Sequence, residues 1–302
     1  MPQARLVLLL AATLSVAACG GGGKSGAVAG KGTLAALLAC PGPEVVLAQG
    51  TSDYAVGQVR VTFLVIDSHA KPVSRPRARV WIGRSLDSPP LLTTEAPLEP
   101  IGIPGESEAA SGGVTQIYVA GFRLAKPGTY TIVAQPEGAA IQGVCNLKVA
   151  KRPQAPAVGD TAIPSRTPTL PSTRGDVAGL TTAKPPDLDL LRYSVADSLK
   201  AHAPFVLVFA TPKFCTSRTC GPVVDVAEAV QKRFAGTGVR FIHVEIYKDN
   251  DPSLGFNRWV GEWRLPTEPF VFLVGRDGRI KGRFEGSVSV AELAAAVRAV
   301  LL

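Results

Sequence analysis

Cys215 and Cys220 are the residues of this chain best suited to covalent chemistry. They lie four residues apart in the run Phe214-Cys215-Thr216-Ser217-Arg218-Thr219-Cys220-Gly221-Pro222. Such a pair can pass between a dithiol and a disulfide, trading two electrons with another thiol or disulfide through a mixed disulfide. The attacking species is the thiolate, and a free cysteine with a pKa of about 8.5 is mostly protonated near neutrality. A helix start favours the thiolate, because unpaired N–H groups and the positive end of the dipole face it. Lys213 and Arg218 push the same way. Chain order makes Cys215 the nucleophile and Cys220 the resolving thiol, with the reverse assignment open.

The flanking sequence supplies the elements that would hold these thiols. Phe205-Val206-Leu207-Val208-Phe209-Ala210 is an unbroken apolar run, the pattern of a strand buried on both faces. After the cysteines, Val223, Val226, Ala227, Val230 and Phe234 recur at helical spacing between charged residues, and Gly221-Pro222 sits in the first turn, where proline is tolerated. Further elements are a short helix over 194–202, a second buried strand over 239–247, a short helix over 254–263 and a third strand over 270–274. A Gly275-Arg276-Asp277-Gly278 turn then leads to an antiparallel return over 279–284 and a closing helix over 288–302, with Ser289 as its cap before Glu292.

This order over residues 188–302, with the cysteine pair after the first strand, resembles the thioredoxin-like superfamily. The run Pro269-Phe270-Val271-Phe272-Leu273-Val274-Gly275-Arg276-Asp277-Gly278-Arg279-Ile280 is similar to its TlpA/ResA-like branch. The resemblance implies an α/β thioredoxin-like fold and thiol–disulfide oxidoreductase activity that needs no metal or organic cofactor. It also implies a cis-proline facing the cysteines, where the backbone pairs with a peptide substrate; Pro269 is the candidate and Pro266 the second. Two departures stand out. The family motif has two residues between its cysteines where this chain has four, and the buried carboxylate usual one residue before the strand phenylalanine is replaced by Val208. Glu268 is the candidate for proton transfer, and its charge would raise a neighbouring thiol's pKa, opposing Lys213 and Arg218.

The N-terminus addresses the compartment. A basic head, Met1 to Arg5, precedes an apolar segment, Leu6 to Ala18, too short to cross a bilayer. It ends in Val16-Ala17-Ala18-Cys19, which resembles the lipobox of bacterial lipoproteins. That resemblance implies cleavage of residues 1–18, a lipid anchor on Cys19 and an extracytoplasmic position at the cell membrane; an ordinary secretory signal is the alternative. Residues 19–39 read as a glycine-rich tether. With Cys19 lipidated, four of the five cysteines remain, and their positions suggest two pairs: Cys215 with Cys220, and a structural bridge between Cys40 and Cys145.

Residues 40–150 read as an all-β domain. Runs at 58–67, 77–82, 116–119, 129–134 and 143–149 alternate or are apolar, are separated by turn signals, and carry no helical period. The series resembles immunoglobulin-like sandwiches, with 85–113 expected as a long loop. Residues 151–187 turn to Pro, Thr, Ala and Ser and read as an extended linker that lets the two domains move relative to each other.

A net charge of +8 is spread along the chain with no aromatic-basic stripe, so nucleic acid is not expected as a partner; protein thiols and disulfides are. Three other functions compete. A thiol peroxidase would require Pro-x-x-x-Thr-x-x-Cys, and after Pro212 and Thr216 Cys220 comes one residue late. A copper chaperone resembling the SCO proteins would add a histidine, with His243 the candidate. A scaffold lipoprotein would use the Cys215–Cys220 bond only structurally.

Overall fold

The computed structural model describes residues 32–38, 45–69, 71–105, 115–138, 143–214 and 223–302. The signal-like segment, Cys19, Cys40, Cys215 and Cys220 lie outside these residues.

A single helical turn, α1 (Leu34–Leu37), is followed by eight strands: β1 (Val45–Gln49), β2 (Tyr54–Ala55), β3 (Gly57–Asp67), β4 (Arg77–Gly83), β5 (Leu92–Pro100), β6 (Gln116–Leu124), β7 (Gly128–Pro136) and β8 (Gly143–Ala150). They form one sheet in the order β1-β3-β6-β5-β4-β7-β8-β2. The sheet curls over itself, so alternate residues of opposite limbs share a core. Val59, Val61, Phe63 and Val65 of β3 meet Val80 and Ile82 of β4, Tyr118 and Phe122 of β6, and Tyr130 and Ile132 of β7. Phe63 stacks on Tyr118 with ring centroids 5.3 Å apart.

Strand β5 makes the curl possible, and it occupies the stretch expected as a loop. Leu92 to Pro97 pair with β4, whereas Leu98 to Pro100 pair with β6. Pro97, which has no N–H to give, stands where the strand leaves one limb for the other. Its prolines and acidic residues hid this strand from a reading by pattern.

A second sheet contains β9 (Phe205–Phe209), β10 (Arg240–Val244), β11 (Phe270–Val274) and β12 (Ile280–Glu285), in the order β10-β9-β11-β12. β10 runs parallel to β9, while β11 runs antiparallel to both β9 and β12. Four helices accompany them: α2 (Val195–Lys200), α3 (Val223–Arg233), α4 (Arg258–Glu262) and α5 (Val290–Val300). Helices α3 and α5 cover one face through Val226, Val230, Leu293 and Val297. The other face packs Val195, Val260 and Trp263 against Phe205, Phe209 and Phe272. The expected helix over 254–263 is shorter, because Asn257 accepts hydrogen bonds from Trp259 N and Val260 N and so caps α4 there. Ser289 caps α5 by accepting from Glu292 N at 3.0 Å.

Residues 151–187 contain no helix or named strand, in keeping with their composition, yet they are not a free spacer. Ala162 N donates to Gly278 O and Ile280 N to Asp160 O, so the chain lies along β12. Ala155 and Ala162 are buried against the second sheet, and Ser165 Oγ accepts from Trp263 Nε1 at 3.0 Å. Small side chains let this segment lie flat against the sheet, a contact that leaves no periodicity in the sequence.

The two sheets meet directly, within one compact unit from Lys31 to Leu302. Arg60 forks onto the Glu292 carboxylate at 2.7 and 2.6 Å, Arg283 pairs with Asp53 at 2.7 Å, and Ile101, just past β5, is buried in the α3–α5 core. Gly286 lies in the contact with a φ of +69°, and a Cβ there would stand 1.9 Å from the Gly50 carbonyl oxygen. Gly286→Ala is therefore expected to lower the unfolding midpoint by about 10 °C, or about 3 kcal/mol. A thermal melt within a degree of the parent would show that the two backbones are not pressed together.

Candidate functional site

All five residues of β9 are buried, as are Ala210 and Thr211, so the chain first reaches the surface at Pro212. Cys215 and Cys220 fall in the connection from Phe214 to the start of α3 at Val223, outside the described residues. The surroundings of that connection are described on both sides. Phe270 of β11 is opposite Phe209, so Pro269 stands beside the point where β9 ends. The Glu268–Pro269 peptide bond is cis, as is Lys184–Pro185, whereas that before Pro266 is not. Pro269 O accepts from Gly286 N at 2.9 Å.

The approach to Cys215 is anchored by residues that sequence patterns did not mark. Lys213 N donates to Thr182 Oγ1 at 3.1 Å. Thr182 in turn gives both its N–H and its hydroxyl to Glu245 Oε1, each at 2.6 Å. Glu245 is buried, so this pairing meets part of its demand for donors. The Phe214 ring meets Tyr247 edge-on at 6.0 Å, and Tyr247 stacks on Phe256 at 5.5 Å. A cleft of about 430 Å³ lies alongside, with His243, Glu245, Tyr247, Phe256 and Trp259 in its walls.

Val208, where the resemblance implied a carboxylate, is flanked across the sheet by Val271 on one side and His243 on the other. His243 is thus the buried titratable side chain next to that position. Its Nε2 lies 3.1 Å from Ala210 O, tying it to the end of β9. Burial pushes its pKa below the usual histidine range, against the opposing pull of Glu245 and the Ala210 carbonyl. Among the described residues, no three His, Cys, Asp or Glu side chains are grouped to hold a metal ion.

Cys145 lies in β8, half-buried against the core of the eight-stranded sheet and with no disulfide partner among the described residues; as a thiol, its pKa is pushed up to about 12 by burial. Its expected partner Cys40 lies outside the described residues. Glu268 and Pro269 are adjacent at the start of β11.

No family model matches the chain, and no curated protein matches it. Among solved structures, a thiol:disulfide interchange protein of the thioredoxin family from Chlorobium tepidum TLS is 17% identical, with all of that chain and 49% of this one covered at a TM-score of 0.31. So loose a superposition carries no weight for the activity of this chain.

A histidine held neutral by burial takes up a proton less readily folded than unfolded. Stability is therefore retained above the unfolded value of about 6.5 and falls as the pH drops below it. The melting temperature is expected to decrease between about pH 7.5 and about pH 5.5, and His243→Gln to flatten that decrease. Identical slopes in parent and variant would remove His243 as the cause.

Proposed function

We propose that this chain is a lipid-anchored, extracytoplasmic thiol–disulfide oxidoreductase. In this reading an immunoglobulin-like sandwich is joined to a thioredoxin-like domain whose Cys215–Cys220 pair exchanges electrons with protein thiols and disulfides. The observation that carries the reading is the strand order β10-β9-β11-β12 together with its register. The connection bearing both cysteines leaves β9 beside the residue that follows Pro269 and enters α3, whose N-terminal N–H groups favour a thiolate.

In the reducing direction the Cys215 thiolate attacks a substrate disulfide. A Cys215–substrate bond forms, the substrate S–S bond breaks, and one substrate sulfur leaves as thiolate. The Cys220 thiolate then attacks Cys215 Sγ, which closes the Cys215–Cys220 disulfide and releases the second substrate sulfur. Two electrons pass to the substrate, and a thiol donor resets the pair; oxidation of substrate thiols runs the same steps backwards. Glu268, beside Pro269, is the proposed proton carrier, and Cys19 the anchored residue.

In an insulin-reduction assay driven by dithiothreitol, Cys215→Ser and Cys220→Ser are each expected to bring turnover to the uncatalysed rate. Cys220→Ser, which keeps the nucleophile but not the resolving thiol, is expected to accumulate a mixed disulfide with the substrate. Full turnover in the double variant would overturn the reading, and unchanged biological function with a lowered melting point would favour a structural bond.

The bridge between Cys40 and Cys145 belongs to the same proposal. Val45, shortly after Cys40, packs against the same core as Cys145. Peptide mapping without reduction, on protein exported to an oxidising compartment, is expected to recover the two cysteines in one linked peptide. Alkylation of both without prior reduction and after unfolding would exclude the bridge.

A further inference from the structure

Glu285, the last residue of β12, is buried, and its carboxylate is shared between the two sheets. Oε1 accepts from Ser52 N at 2.9 Å, Ser52 Oγ at 2.7 Å and Thr267 Oγ1 at 2.8 Å, while Oε2 accepts from Asp53 N at 2.7 Å. Three of these four donors come from the turn before β2 in the sandwich. The fourth, Thr267, stands two residues before Pro269.

The turn that supplies the donors is itself fixed. The Asp53 carboxylate accepts from Gln154 N, Ala155 N and the Arg283 guanidinium at 2.7, 3.0 and 2.7 Å. Arg60 of β3 donates to Ser287 O at 2.8 Å, just past Gly286, whose N–H holds Pro269 O. The sandwich therefore grips the 285–287 connection from two sides, and through Thr267 and Gly286 it reaches the backbone on either side of Glu268.

We propose that the sandwich serves as a built-in clamp for the substrate-facing turn at Pro269, with Ser52, Glu285 and Thr267 as positioning residues. The proposal rests on the oxidoreductase reading for what the turn contacts: an extended segment of a disulfide-bearing protein, held by its backbone next to Pro269. The clamp acts on where that segment lies and not on the cysteine chemistry. Loosening it should weaken capture of a protein disulfide and leave the potential of the Cys215–Cys220 pair unchanged.

Thr267→Val cuts only the branch to the turn, since Ser52 and Asp53 still satisfy Glu285, and Thr267→Ser restores the hydroxyl. Ser52→Ala removes one donor from the sandwich side at an exposed position. In Thr267→Val, exchange of the Gly286 amide, followed by NMR, should quicken about tenfold, and KM for a protein disulfide should rise about tenfold at constant kcat. Thr267→Ser should return both to parent values, Ser52→Ala should shift both in the same direction by less, and turnover of the small disulfide of 2-hydroxyethanethiol should not change.

Unaltered exchange and KM in Thr267→Val, or a KM rise that Thr267→Ser fails to reverse, would overturn the clamp. If the parent turns over neither disulfide while exchange still responds as stated, the clamp stands and the oxidoreductase reading falls.

Discussion

A carboxylate taken out of water must find its hydrogen-bond donors inside the protein, and the cost of leaving it short exceeds that of most packing faults. Glu285 meets this demand with donors from segments more than two hundred residues apart in sequence. Once the Ser52–Asp53 turn is committed to it, other contacts are set as well. Asp53 is positioned for Arg283, Gly50 is brought against Gly286, and α5 starts where its Glu292 meets Arg60. Neither sheet has a complete set of partners for these groups alone, which makes the contact between them part of the fold and not an incidental docking of two finished domains.

The chemistry proposed for this chain depends on a different constraint. Strand β9 is buried on both faces, so it can carry no reactive group along its length and can only deliver one at its end. Polar groups among the described residues accordingly gather where the sheet stops: Thr211, the Thr182–Glu245 pair, His243 against the Ala210 carbonyl, and Glu268. His243 stands beside Val208 on the neighbouring strand, the buried titratable group paired with β9 near its end.

Much of this arrangement was legible in the sequence because it rests on local period. The apolar runs of β9 and β11, the helical spacing of α3, the Ser289 cap and the alternation of β3, β4, β6 and β7 depend only on which face of an element is buried. Strand β5 was not legible: Leu92 to Pro100 alternates only weakly and holds two prolines, and it is a strand because two limbs of one sheet need a residue run that serves both. Residues 151–187 misled for a related reason. Proline, threonine and alanine carry no amphipathic signature, yet their small size is what fits them between β12 and Trp263.

The candidate site divides along the same line. Residue types and spacing marked Cys215 and Cys220, a thiol pair between a buried strand and a helix, and the resemblance carried by the run from Pro269 to Ile280 marked Pro269 and, beside it, Glu268; both are features of a few consecutive residues. Thr182, Glu245, His243, Thr267 and Glu285 came into view only through the tertiary structure. Each matters through a partner far away in the chain, and a hydrogen bond between distant segments imposes no pattern on either one.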